Sequence, residues 1–538
     1  MKFILSAFLI ASVVIAQARP PIITSGWDVP TPAIFRAHVA EFEAWGLFDG
    51  TSIRPTRVNT EGKTVNSHLA FSSEPWRWEE FATAVEDLQA AHTTTCRETF
   101  LMLYSNPGNV DWFDDGEWQH VVEHWRLLAR LAKQGKLRGL LFDAEPYTKP
   151  YRQFHYFSQA QADQHTFADY RVKARQRGRE VMSAVAEEFP DVTIFCYRLF
   201  SDMLQTLDSG DLNCTLASET YGLLPAFVDG WMEVAPATLT IIEGTESIGY
   251  RANSFAEYAS AFTRERLRLA EFVSPENTEK FNRQLRIGQS LYLDAHINPP
   301  DHSYTIDHTN SSPADRFAAN LTSALAASDG LVWLYGEQAR WWSGKNEKRP
   351  LWTEVFPGVD QAIRCARDPA AFASTILSGD SHGKNSLTNT SFAASTGKAP
   401  AGWFTWQRED SHGIFSFADG LVSIRAAKEA VVGFTFEPTH DTLFAVGVKV
   451  RTQGRGTGEL GIKWKTSAGK WTCRESHVSL SPTAPPDAHG WQTISGMVRM
   501  PEGASRLVFM ISASAQTGEE DSCEFTDPKV IAVPLQDR

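Results

Sequence analysis

Asp143 and Glu145 stand two residues apart in the segment LRGLLFDAEPY, residues 137–147. Residues at that spacing on an extended chain point to the same side. Pro146 disfavours a helical conformation at Glu145, so the acid stays extended. The run Leu140-Leu141-Phe142 reads as a buried strand whose C-terminal end delivers both carboxyls. Two carboxyl groups can cleave a glycosidic bond. One has a raised pKa and acts as acid, and the other is ionised and acts as base or nucleophile. A strand-end ion pair or a helix cap would place the same residues without chemistry.

Further acids close other apolar runs. Trp27 and Asp28 follow the first run, and Glu243 ends the sixth, with Glu246 just beyond. Asp294 and His296 end the seventh, and Glu337 ends the eighth, flanked by Tyr335 and by Trp341-Trp342. Glu219 lies in the loop SETYG. Asp28 and Glu243 have helix capping as their structural alternative. Asp294 and His296 could hold a sugar hydroxyl, a metal or each other. Ordered metal-ligand spacing is not visible around them.

These acids meet only if the elements bring them together. Eight strands are expected, at residues 22–27, 51–57, 99–105, 139–145, 192–198, 239–244, 287–294 and 331–337. Helical periodicity fills most gaps, over 78–91, 117–134, 163–189, 254–272 and 313–327. Eight strand–helix units predict a parallel (β/α)₈ TIM barrel, with its chemistry at the strand C-terminal ends. An open doubly wound sheet would want a Gly-rich loop after the first strand, and there is none. After Trp352 the pattern changes. Runs at 413–417, 421–424, 431–436, 443–450, 460–464, 492–499 and 506–511 predict an all-β antiparallel sandwich. The expected domains are residues 19–368 for the barrel and 378–538 for the sandwich.

The N-terminus reads as a secretory signal over residues 1–18. Lys2 precedes an apolar run, and Ala16-Gln17-Ala18 fits the small-x-small cleavage rule. An exported or periplasmic chain without a later membrane span is expected. The formal charge of −13 argues against nucleic acid as partner, and an anionic polysaccharide would need a local basic patch. Seventeen Trp favour carbohydrate, whose rings stack on aromatic faces, although most Trp will fill cores. Cys473 and Cys523 could pair in an oxidising compartment, and Cys196 reads as a buried thiol.

Over residues 21–352 the pattern resembles secreted (β/α)₈ glycoside hydrolases. Glu145-Pro146 is similar to the acid/base position of the retaining clan with an Asn-Glu-Pro motif, but Ala144 replaces the Asn. Asp143-x-Glu145 is similar to the end of the chitinase-type motif, with Arg138 and Leu141 at the upstream acid positions. Residues 387–392 (LTNTSF), with Gly402-Trp403 and Trp406, resemble the opening of jelly-roll carbohydrate-binding modules. The ending Cys523–Pro528 is similar to their last strand, which implies an acidic residue near a structural calcium.

The resemblance implies a glycosidase without organic cofactor. Glu145 is the expected acid, Glu337 or Glu243 the base or nucleophile, and Asp143 the group that tunes Glu145 by like-charge coupling or holds the sugar. Trp27, Asp28, Asp294, His296, Tyr335 and Trp341 are expected around the substrate, and Trp403 and Trp406 on a glycan in the sandwich. A non-catalytic glycan-binding barrel and a metal-dependent hydrolase are the alternatives.

Overall fold

A computed structural model describes residues 19–308, 311–344, 348–379, 383–393, 399–418, 420–438 and 443–535. The expected signal segment, 1–18, lies outside them. The chain divides into two compact units. Among the described residues, the first comprises those within 19–293, 323–337 and 342–344, and the second those within 294–322, 338–341 and 348–535.

The first unit is a parallel barrel. Its strands are β1 (Ile22–Gly26), β2 (Gly50–Ile53), β3 (Phe100–Pro107), β4 (Gly139–Asp143), β5 (Thr193–Cys196), β6 (Thr240–Glu243), β7 (Leu285–Ile287), β8 (Gln289–Tyr292) and β9 (Val332–Gly336). Hydrogen bonding runs in the order β7-β6-β5-β4-β3-β2-β1-β9-β8. The two ends of that path are consecutive halves of one segment, broken at Gly288. Its first half pairs with β6 and its second with β9, so the ring closes through the chain itself. At the break, Gly288 N donates to Glu243 O at 2.7 Å. Every residue of β4 is buried, as the continuous apolar run of a parallel strand requires.

Local signals set the helices. In α1 (Pro32–Ala44) Thr31 caps the N-terminus and Pro32 opens the first turn. In α2 (Asp115–Gln134) the Asp114 carboxylate accepts from the N–H groups of Gly116 and Glu117. In α3 (Phe167–Glu188) Thr166 and Asp169 form a capping box. Trp112, Trp118, Trp125 and Trp231 are fully buried, the last two with ring centroids 5.6 Å apart, so much of the tryptophan is core.

The second unit carries the sandwich. Its strands are β10 (Trp403–Gln407), β11 (Ile414–Ala418), β12 (Leu421–Arg425), β13 (Glu429–Phe436), β14 (Leu443–Gln453), β15 (Thr457–Lys465), β16 (Val478–Leu480), β17 (Gln492–Arg499), β18 (Arg506–Ser514) and β19 (Ser522–Ala532). One sheet has the order β10-β13-β18-β15-β16, and the other β11-β12-β19-β14-β17. All pairings are antiparallel. The helix Pro369–Ser378 belongs to this unit and packs on β17 and β14. Ser386, near the start of the expected sandwich, is tied into this unit, since its N–H donates to Val530 O at 2.8 Å. The expected Cys473–Cys523 pair is not formed. Both thiols are free, Cys473 exposed and Cys523 buried in β19. Among the described residues no helix is long and apolar enough to cross a membrane.

Gly288 holds the closure. A Cβ there would lie 2.8 Å from Leu331 O and 3.1 Å from Glu243 O, both rigid backbone. Gly288→Val should destabilise the protein by about 1–3 kcal/mol, the usual scale of overpacking. Gly210→Ala, where nothing lies within 4 Å of the new Cβ, is the control. Equal urea midpoints for the two variants would show that the break at Gly288 is dispensable.

Candidate active site

The C-terminal ends of β4, β5, β6 and β9 place acids and aromatics at one mouth of the barrel. Asp143, the last residue of β4, is fully buried beside Tyr104 of β3, its register partner. Its Oδ1 accepts the Glu145 backbone N–H at 2.8 Å. The Tyr147 hydroxyl reaches Asp143 Oδ2 at 2.9 Å and Glu145 Oε2 at 3.2 Å, so one hydroxyl bridges both carboxyls. Asn106 fixes the turn. Its Nδ2 donates to Glu145 O at 2.7 Å, and its Oδ1 accepts from Tyr147 N at 2.9 Å.

Arg198, two residues beyond β5, gathers the remaining acids. Its Nη2 lies 3.2 Å from Glu145 Oε2 and 2.6 Å from Glu246 Oε2. Its Nη1 donates to Asp202 Oδ2 at 3.0 Å and to the Tyr221 hydroxyl at 3.1 Å. Glu145 retains 34% side-chain exposure, whereas Glu246 retains 9%. Glu145 is thus the open carboxyl of the group.

Burial, reinforced by the Glu145 charge, pushes the Asp143 carboxyl up to about 7. Burial raises Glu246 to about 8 against the pull of Arg198, with Asp143 and Glu145 adding to the rise. Burial opposes the charge on Arg198, but Glu246, Tyr221 and Asp202 outweigh it and hold the guanidinium protonated.

Aromatic rings line the same end. Tyr197 stacks on Trp333 at 4.4 Å, and Tyr250 on Tyr292 at 5.1 Å and on Tyr335 at 5.8 Å. The Tyr197 hydroxyl also bonds to Ser25. Trp27 is half exposed and hydrogen-bonds to Tyr335.

The other expected residues divide by environment. Glu337 directly follows β9, is half-buried and lies close enough to raise the Tyr335 pKa. Its neighbour Gly336 accepts from Trp27 N at 3.0 Å, so β9 meets the end of β1 here. Asp28 is buried. Glu243 is fully buried and accepts from the backbone N–H groups of Leu199, Phe200, Ser201 and Thr245, and from the Ser201 hydroxyl. Its carboxylate ties the segment after β5 to β6. Glu219 ends a short helix, and Tyr221 from that loop reaches Arg198 instead.

Asp294, His296 and Trp341 belong to the second unit. Asp294 and His296 lie in a 3₁₀ turn, Leu293–His296, rather than on a strand end. Asp294 is buried and accepts from Gln338 N at 3.0 Å. His296 is buried against Phe356 at 5.9 Å, and burial pushes it down to about 3. Trp341 is buried 6.3 Å from Trp352, and Trp342 stacks on Phe42 at 4.1 Å, so neither forms an open sugar platform.

In the sandwich Trp403 is 6% exposed and packs on Phe434 at 5.3 Å, which makes it core, whereas Trp406 is 49% exposed. The residues do not fit the calcium implied by the last strand. Of the two acids in that segment, Glu524 is bound to Arg451 at 2.6 Å and Asp527 to Lys529 at 3.3 Å. Among the described residues no group of three His, Cys, Asp or Glu is placed to hold a metal.

Arg198, Glu246, Tyr147 and Tyr221 escaped the expected set or stood at its edge. Arg198 falls just past a strand end, where a buried cation beside acids is a usable signal.

No family model matches the chain, and no curated protein matches it. Several solved structures resemble parts of it. The enzymatically active domain of tailspike protein 4 of bacteriophage CBA120 shares 12% identity over 25% of this chain and 20% of that one, with a TM-score of 0.21. The Clostridium thermocellum endo-1,4-beta-D-xylanase 10B CBM22-1–GH10 modules, complexed with xylohexaose, share 14% over 26% of this chain and 27% of theirs, at 0.19. A family 29 carbohydrate binding module shares 15% over 26% of this chain and 84% of its own, at 0.17. The chain spans about a fifth of the tailspike domain and about a quarter of the xylanase modules. At these scores the likeness identifies no family.

The raised Asp143 pKa has a stability consequence. Between the ordinary carboxyl value of 3.8 and about 7, the folded chain holds a proton that the unfolded chain has lost. Stability therefore falls as pH rises through that window. Asp143→Asn should flatten the dependence of the melting temperature on pH between about 4 and 7, and an unchanged slope would remove Asp143 as its source. Glu243→Gln should cost about 1–3 kcal/mol, because it weakens a carboxylate that satisfies buried donors. Urea unfolding measures this, and wild-type stability would release Glu243 from its anchoring role.

Proposed function

We propose that the protein is a secreted glycoside hydrolase acting on an oligo- or polysaccharide at the barrel mouth. The observation that carries the reading is the Tyr147 hydroxyl bridging Asp143 and Glu145 beside an aromatic floor. Secretion rests on the signal pattern of residues 1–18.

Glu145 is the acid. It is the open carboxyl, and Pro146 and Asn106 hold it at the end of β4. Asp143, buried behind it, holds a proton towards neutral pH. The Tyr147 hydroxyl, in contact with both carboxyls, gives its proton to Glu145 and takes that of Asp143, and Glu145 passes the proton to the glycosidic oxygen as the bond to the anomeric carbon breaks. Glu337, at the end of β9, is the partner carboxylate. It either takes a proton from the attacking water or bonds to the anomeric carbon. Trp27 and Tyr335 stack on or hydrogen-bond to the sugar. Arg198 and Glu246 position Glu145, and Glu243 anchors the segment that carries Arg198.

Hydrolysis is to be measured across a panel of plant, algal, bacterial and animal glycans. Glu145→Gln and Glu337→Gln should each lower kcat on the confirmed substrate by at least about 10²-fold, the scale of acid–base catalysis, with circular dichroism unchanged. NMR of the first-formed anomer decides between the two roles of Glu337. Near wild-type turnover of Glu145→Gln would remove it from the mechanism, and binding without turnover across the panel would favour a non-catalytic glycan-binding barrel.

A further inference from the structure

The outer face of one sandwich sheet carries a groove that the catalytic reading does not use. It encloses about 1010 Å³ and crosses β13, β18 and β15. Alternation explains its floor. In β15 the even positions Gly458, Leu460, Ile462 and Trp464 are buried, so Glu459, Gly461 and Lys463 face outward. Gly461 leaves the floor open, since a Cβ there would meet nothing closer than 3.6 Å. The register Trp406↔Val431↔Ser512↔Glu459 puts the exposed Trp406 on the same face.

A hairpin builds one wall. Gly469, at φ +73°, lets the chain turn so that Thr466 N donates to Lys470 O at 2.8 Å. The turn sets Trp471 opposite Lys465. Trp471 remains 51% exposed, a large indole left in solvent at the groove's edge. Lys465 Nζ lies 4.4 Å and Lys463 Nζ 5.8 Å from its ring centroid. Arg474 follows on the same wall.

Charge is unevenly distributed along the groove. At one end Arg408 and Lys428 are compensated by Asp410, at 2.5 Å and 3.3 Å. At the Trp471 end Lys463, Lys465 and Arg474 form no ion pair among the described residues. A cationic end on a chain of net charge −13 is the local basic patch that an acidic polymer requires. An exposed indole flanked by ammonium groups suits a ring with an apolar face and an anionic substituent.

We propose that this groove binds an anionic glycan, with Trp471 stacking on a sugar ring and Lys463, Lys465 and Arg474 taking its charged groups. Uronate carboxyls and sulfate esters are the two sources of that charge. The proposal is independent of the barrel's chemistry.

The test is affinity electrophoresis and calorimetry of the full chain with polygalacturonate and alginate, with chondroitin sulfate and heparin, and with neutral xylan and cellohexaose. Binding to a carboxylated or a sulfated polymer, at least 10-fold tighter than to the neutral ones and weakened by 0.5 M NaCl, is expected. The polymer class that binds identifies the charged group. Trp471→Ala and the double variant Lys463→Ala/Lys465→Ala should each weaken it at least 10-fold. Both sites are on the surface, and Lys63→Ala, at an exposed position of the first unit, should bind as wild type. Equal binding of neutral glycans, no binding to any polymer, or anionic binding that survives both groove variants would each overturn the proposal.

Discussion

The barrel mouth depends on one guanidinium. Glu145, Asp202 and Glu246 all lie within ion-pair distance of Arg198. Without a cation these acids and Asp143 would repel one another in a site partly closed to water. Two unit charges 4 Å apart interact with about 4 kcal/mol at an effective dielectric of 20. Arg198 offsets part of that repulsion, and protonation of Asp143 and Glu246 removes more. The cluster is folded and acidic at once because its charge is divided between one fixed cation and mobile protons.

The fold was legible because parallel strands buried on both faces have continuous apolar runs. Gly139–Asp143 and Val332–Gly336 could be read with an error of one or two residues for that reason. The seventh strand was harder. Its true course, 285–292, begins in the mixed sequence Leu-Arg-Ile and ends before Asp294, so the expected strand-end acid falls in a 3₁₀ turn. The break at Gly288 is set by two neighbouring backbones, which no local pattern reports. In the sandwich, the strand residues Trp403 and Trp406 are an odd number apart and cannot share a face. One had to be core and the other exposed, and only the packing of Phe434 shows which is which.

The site was legible as acids and not as a network. Asp143 and Glu145 announced themselves by spacing and by Pro146. Arg198 and Glu246 belong to different strand ends, and their relation exists only when β5 and β6 pair. Glu243 carried the opposite error. It has the strand-end position of a catalytic acid, but four backbone N–H groups converge on it. Sequence position alone does not distinguish a carboxylate that faces substrate from one that faces orphan amides.

That distinction has a mechanical consequence. Three of the four backbone donors to Glu243 are Leu199, Phe200 and Ser201, the residues that immediately follow Arg198. A buried carboxylate bound by several amides is costly to move, because each freed N–H is left without water. The segment after β5 is therefore clamped to the end of β6. Arg198 begins that segment, and Glu246 lies three residues beyond Glu243. One buried acid thus sets the spacing between the guanidinium and the carboxyl it holds at 2.6 Å. Glu145 can stay exposed, because its position is fixed from Asn106 and Arg198 rather than by its own burial. The structure places a rigid, satisfied carboxylate behind the mouth and an open one in front of it, and the first is the condition for the second.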